Sequence, residues 1–293
     1  VEVLRGPQSA MYGADAMAGV INFITVGGTA TPEYHLHSGL TADGGDSNGV
    51  LLQGPLENKG DFAFGAAHVD EGERLEGSSF TNSSANAKAN LQISDTDRLT
   101  LTLRASKTHG TAFPDDSGGP TFAKIRAVDA REATELSTGF NYSEQISDTW
   151  NYGVGSSLYR RRELFKSPGV APGLRSAAGV PANSSETTFE SMNLHFTSGY
   201  DWHQNLKTVV GADFKREFGT NNSKLVLGGA PLDSRFVLKR SSVGWFGESK
   251  WVVAPDLFVN GSARFDFLDD YGVVKSFSLG TVYDLAITDT LLK

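Results

Sequence analysis

The 293-residue chain has no cysteine. That excludes a disulfide scaffold, an iron–sulfur site and a cysteine nucleophile, and it suits an oxidising compartment. Basic charge is in deficit: the formal net charge is -8 and the pI about 5.3. A nucleic-acid binder would need a basic surface, so none is expected as a partner. No run of 18 apolar residues occurs, which excludes a transmembrane helix. The same absence leaves a membrane β-barrel open, because a barrel carries its apolar face on alternate residues. Proline is modest at 10 residues and glycine rich at 33, a composition suited to many strands joined by turns.

Period-two alternation is the dominant pattern beyond Thr25. Leu99, Leu101, Leu103 and Ala105 alternate with Thr100, Thr102, Arg104 and Ser106. Leu257, Val259, Gly261, Ala263, Phe265 and Phe267 alternate with Phe258, Asn260, Ser262, Arg264 and Asp266. Similar stripes run over 206–215 and 277–285. The connections sort by length. Short turns fall at 57–60, 95–97, 148–149, 202–205, 254–256 and 288–290. Longer loops are expected at 72–80, 109–125, 166–186 and 219–234, with smaller ones at 44–47 and 269–272. An outer-membrane barrel alternates tight periplasmic turns with long outer loops. The pattern predicts an all-β antiparallel barrel wall of 12–13 strands, each crossing with roughly 9–11 residues. Trp150, Trp202 and Trp251 flank the short turns, with Tyr152, Tyr200 and Tyr283 nearby. Amphipathic rings prefer the membrane–water interface, so these six are the expected periplasmic aromatic girdle.

The first 25 residues run VEVLRGPQSAMYGADAMAGVINFIT. An apolar run is stopped by Gly6-Pro7, a short turn or one-turn helix over Gln8–Tyr12 ends at Gly13, and small residues lead into a β-rich strand over Val20–Thr25. Arg5, Gly6, Pro7, Ser9, Tyr12, Gly13, Ala16, Gly19, Val20, Ile21, Asn22, Ile24 and Thr25 match the pattern LRGPxSxxYGxxAxxGVINxIT. This window resembles the C-terminal end of the plug domain of TonB-dependent outer-membrane receptors. The resemblance implies that residues 1–28 end a plug and that residues 32–293 form the N-terminal half of a barrel of about 22 strands. It implies location in the bacterial outer membrane and active uptake of a scarce ligand, of the iron–siderophore or vitamin B12 type, into the periplasm. TonB would supply energy through an N-terminal box absent from this chain. The compact strands and moderate loops look somewhat like the vitamin B12 receptor group. The chain is expected to be a fragment of a longer, monomeric protein that needs no cofactor and is not an enzyme.

The resemblance also implies that plug arginines pair with glutamates of the barrel wall. Arg5 would need such a partner, since an unpaired charge removed from water is costly. Glu190 and Glu248 are the candidates for this latch. Arg160-Arg161-Arg162 forms a basic run suited to an anionic ligand or a lipopolysaccharide phosphate. His35 and His37 share one strand face but lack a third metal ligand, and no metal site is expected. Asp115-Asp116 and Asp269-Asp270 offer oxygen ligands to a hard cation, or stand as solvated loop tips.

Two other functions compete. A passive porin fits the barrel pattern and is opposed only by residues 1–25. A secreted β-rich hydrolase using Ser117 is suggested by Asp115-Asp116-Ser117-Gly118-Gly119-Pro120. That reading needs a histidine base and an oxyanion hole. Turn chemistry accounts for the same residues.

Overall fold

The computed structural model describes residues 1–5, 16, 18–57, 59–173, 177–269, 271–285 and 290–292. The Gln8–Tyr12 turn, and Gly6, Pro7, Ser9, Tyr12 and Gly13 of the motif window, lie outside the described residues. Two strands open the chain, β1 (Glu2–Arg5) and β2 (Gly19–Asn22), paired antiparallel with Arg5 opposite Gly19.

A single antiparallel meander follows. Its strands are β3 (Glu33–Leu40), β4 (Asp46–Pro55), β5 (Gly60–Asp70), β6 (Ser79–Gln92), β7 (Asp97–Ala112), β8 (Asp129–Ser147), β9 (Trp150–Ser167), β10 (Asn183–His203), β11 (Leu206–Leu227), β12 (Ala230–Ala254), β13 (Leu257–Leu268), β14 (Gly272–Leu285) and β15 (Thr290–Leu292). Each pairs with its sequence neighbour, giving a 13-stranded sheet with β3 and β15 at its edges. One four-residue helix, α1 (Gly119–Phe122), sits between β7 and β8.

The sheet has no packed core. Among the described residues the buried apolar side chains are small: Ala16, Ala63, Ala123, Ala133 and Val170. Large apolar groups stand on one face instead, with Trp245 58 %, Phe277 69 % and Leu279 79 % exposed. A water-soluble sandwich would bury these rings against a second sheet. A single-layer wall leaves them for lipid.

Register places rows of them on one face. Leu99 lies opposite Tyr142, Leu101 opposite Phe140 and Ala105 opposite Leu136. Val243 lies opposite Phe267 and Trp245 opposite Phe265. The other, inner face carries Asn90, Thr100 and Asn141, then His195, Asp213 and Asp266 along the same rows. The alternation read from the sequence is therefore the inside–outside alternation of the wall.

Short turns gather at one end, at 93–96, 148–149, 204–205 and 255–256 and where Lys59 N donates to Leu56 O. At the other end the β5–β6 and β7–β8 connections run over 71–78 and 113–128, and the β9–β10 connection is described over 168–173 and 177–182. The loop expected over 219–234 is instead paired strand, Gly219 opposite Leu238 and continuing to Leu227 opposite Ala230. Gly228 and Gly229, with φ of 58° and 87°, close this hairpin. Two successive positive φ values make the tight turn whose twist matches the flanking strands, and glycine adopts them without strain. The polar residues that suggested a loop are the part of a long hairpin that extends past the apolar band.

Candidate functional site

The inner face is built from side chains that alternation turns away from lipid. On β13, Arg264 and Asp266 sit two apart and so share that face. The Arg264 guanidinium donates to Asp266 Oδ1 and Oδ2 at 2.9 and 3.0 Å and, from Nη1, to Asp213 Oδ2 of β11 at 2.7 Å. Arg264 and Asp266 are buried, 5 % and 4 % exposed. A buried charge is tolerable when its hydrogen-bonding groups are matched, and two carboxylates around one guanidinium do that. Next along the wall, Glu217 accepts from Lys215 at 2.9 Å and from Arg240 Nε at 2.7 Å. Both clusters line one groove of about 560 Å³ with Tyr159, Phe189 and His195. A third cluster joins Arg161 to Glu135 at 2.6 Å and to Glu163. Among the described residues the inner face thus carries three ion-pair clusters.

The segment preceding the sheet lies against this same face. Gly28 N donates to Asp61 Oδ1 at 2.7 Å, and Asn90 Nδ2 donates to the same oxygen at 2.8 Å. Thr100 Oγ1 donates to Asn90 Oδ1 at 2.9 Å, and Lys88 Nζ reaches Thr25 O at 3.4 Å. Phe23–Val26 and the wall enclose a groove of about 670 Å³ that Asn82, Asn86 and Arg104 also line. The sequence reading missed Asp61 and Asn90, whose signal was only that polar residues recur at inward positions.

The loop end forms a second surface. Arg126 of the β7–β8 loop pairs with Glu76 of the β5–β6 loop, donates to Pro120 O, and stands 5.2 Å from the Phe113 ring. Lys124 Nζ donates to Pro172 O of the β9–β10 loop at 2.9 Å, and that loop is folded on itself by the Val170–Val180 bridge. Three loops are thus tied together at this end of the sheet. Ser117 is buried within them and its Oγ accepts from Gly119 N at 3.1 Å, a turn contact. His68 is engaged with Ser83 Oγ on the outer face of β5 and β6.

Of the latch candidates, Glu248 lies on the inner face, 3.3 Å from Lys250, while Glu190 lies on the outer face, 3.3 Å from Arg160. Neither is bonded to Arg5. Parity separates the two: Glu190 shares its face with Leu194 and Phe196. Gly19 lies opposite Arg5, and Asn22 donates through Nδ2 to Glu2 at 3.0 Å. Ala16 is buried. The basic run divides by the same rule. Arg161 points inward, and Arg160 and Arg162 point outward to Glu190 and Glu186. His35 contacts Glu33 and His37 contacts Ser47. Among the described residues no group of three or more His, Asp or Glu side chains is arranged to hold a metal. Asp270 lies outside the described residues.

The aromatic residues at the turns gather on the outer face. Trp150 lies opposite Tyr200, whose ring centroid is 4.8 Å from that of Trp202. Tyr142 and Tyr152 are 6.0 Å apart and both hydroxyls donate to Glu144. Trp251 lies opposite Leu206 and Val259, and Tyr283 opposite Leu257.

Residues 58–292 match the family model described as "TonB dependent receptor-like, beta-barrel". The vitamin B12 transporter BtuB of Vibrio vulnificus (strain CMCP6) is 25% identical over 293 residues, covering 97% of this chain and 44% of the relative. The crystal structure of the ferric yersiniabactin uptake receptor FyuA from Yersinia pestis superposes with a TM-score of 0.76 at 15% identity, over 96% of this chain and 48% of that one. FpvA of P. aeruginosa, bound to heterologous pyoverdines, gives a TM-score of 0.73 at 16% identity, over 97% and 44%. The chain spans less than half the length of each of these proteins.

Proposed function

Because the chain belongs to the TonB-dependent receptor family of the bacterial outer membrane, we propose that it is the N-terminal half of the barrel of an active uptake receptor, with residues 1–28 ending the plug. The ligand is a scarce complex of the iron–siderophore or vitamin B12 type. It is taken up by the tied loops and the inner wall and released to the periplasm when TonB, through its box, rearranges the plug. The complete receptor acts as a monomer in contact with lipid and lipopolysaccharide, and it is a transporter rather than an enzyme. The observation that carries this reading is the Gly28–Asp61 hydrogen bond. It fastens the preceding segment to the polar face of the wall, where a plug belongs and where an open diffusion channel would have water. A plug latch, if Arg5 makes one, uses inward-facing Glu248 rather than Glu190.

Uptake of labelled iron chelates and cobalamin by cells carrying the full-length receptor tests the reading. Accumulation of one ligand, abolished when the TonB complex is removed, is expected. Entry that persists without TonB would indicate a passive porin.

A further inference from the structure

Above the turn-end aromatics, the outer face changes character at a definite height. Arg160 lies ten residues along β9 from Trp150, and Arg216 ten residues along β11 from Leu206. At roughly 3.3 Å per residue and a tilt of about 40°, both stand about 25 Å above the turn-end boundary, the height of a barrel's apolar band. Below them are the lipid-facing residues; above them the outward positions turn largely polar, with Arg162, Glu186, Thr188 and Thr220.

A groove of about 500 Å³ opens on the outer face at this boundary, across β8–β11. Leu136, Leu158, Met192 and Phe218 line it together with the two arginines, Arg160 in the row of Leu136 and Phe218 and Arg216 in the row of Leu158 and Met192. Lys239 adds a third cation, its Nζ 5.9 Å from the centre of the Phe218 ring. The one carboxylate in the groove is Glu190, 3.3 Å from Arg160 with both side chains well exposed. A solvent-screened pair of that kind is weak and exchanges readily for a stronger anion. Arg216 is exposed and has no ion-pair partner among the described residues.

An outward-facing guanidinium at the edge of the hydrocarbon needs an anion, and a phosphate is the group its planar fork matches best. The apolar side chains in the same two rows require an occupant that is also hydrocarbon. We propose that this groove is a binding site for a phosphate-bearing, multiply acylated lipid of the outer leaflet, of the lipid A class. Its phosphate sits between Arg160 and Arg216, and an acyl chain lies over Leu158, Met192 and Phe218. Charge complementarity selects this occupant: three cations against one carboxylate, placed where the headgroups of the outer leaflet lie. The proposal rests on the outer-membrane barrel reading and names the lipid contact that this reading leaves general.

The test is native mass spectrometry of the full-length receptor, titrated with bisphosphorylated lipid A, with fully dephosphorylated lipid A, and with bisphosphorylated lipid A in the presence of inorganic phosphate. The wild type should retain bisphosphorylated lipid A. The double variant R160Q/R216Q should bind it at least tenfold more weakly, and R160K/R216K should keep most of the affinity. Lys275→Gln, an outward cation on β14, is a control for general surface charge and should bind as wild type. Equal retention by R160Q/R216Q, or equal retention of the dephosphorylated lipid, would overturn the proposal. Complete competition by millimolar inorganic phosphate would also overturn it, by showing a free-phosphate site with no role for the lipid. Ligand uptake does not enter these readouts. Failure of TonB-dependent uptake with lipid retention intact would count against the transport reading alone.

Discussion

At Gly28 the backbone passes so close to β5 that a Cβ would stand 2.5 Å from Asp61 Cβ and 2.7 Å from Phe62 N. Contacts that short force something to move, and here the obstacle is largely backbone. Gly28→Ala should lift the segment off the wall and break the bond to Asp61. Asp61→Ala removes the shared acceptor and leaves the Gly28 amide and the Asn90 side chain unmatched, a loss of about 1–3 kcal/mol. Either change in the full-length receptor should speed amide exchange over residues 23–30 by about tenfold. Unchanged exchange would show that this contact does not hold the segment. Glu132 illustrates a different residue-scale effect, beyond the apolar band. Its carboxylate is held below the ordinary range by the hydrogen bond from Lys107, 3.0 Å away, and by the charge of the same ammonium. A lowered folded-state value means that the pairing is fully present above the ordinary carboxylate range and is lost as pH falls through the lowered one. Carboxyl NMR should show Glu132 titrating low in the native receptor and returning to the ordinary range in Lys107→Ala. An unshifted Glu132 in the native receptor would contradict the pairing.

At the scale of the strand, alternation was the readable quantity. Each of the four stripes read from sequence is a strand with its apolar members on the outer face, because only two environments, lipid and lumen, act on a single-layer wall. Glu190 shows the limit of that reading. Its strand was evident, but its face depends on parity along β10, and a one-residue difference decides between wall and lipid. The β11–β12 hairpin was misread for a related reason. Past the apolar band both faces meet water, so Asn221, Asn222 and Ser223 carry no alternation and look like loop. At the turn end, Trp251 is 50 % exposed among outward neighbours. If it belongs to an interfacial girdle, Trp251→Ala should destabilise the bilayer-inserted receptor to urea by about 1–2 kcal/mol, the scale of half-burying a large apolar side chain. An unaltered midpoint would remove it from the girdle.

For the whole molecule, the motif window and the sorting of connections by length point to the family from sequence alone. The inner ion-pair clusters were not legible, because Arg264 meets Asp213 across 51 residues of chain. Only register brings β11 and β13 to the same height. The open edges at β3 and β15 also belong to this scale. An unpaired edge exposes backbone groups that lipid cannot satisfy. Residues 1–293 expressed alone should therefore aggregate, while the full-length receptor should refold into detergent as a heat-modifiable barrel. A monodisperse, refolded 1–293 would mean that the edges are satisfied some other way. The most direct test of the account is a nitroxide scan through residues 99–106 of β7 in the full-length receptor in bilayers, which the cysteine-free sequence makes clean. Accessibility to oxygen should peak at Leu99, Leu101, Leu103 and Ala105 and fall at the residues between them. A flat profile, or maxima at Thr100, Thr102 and Arg104, would contradict a membrane-spanning wall with this face toward lipid.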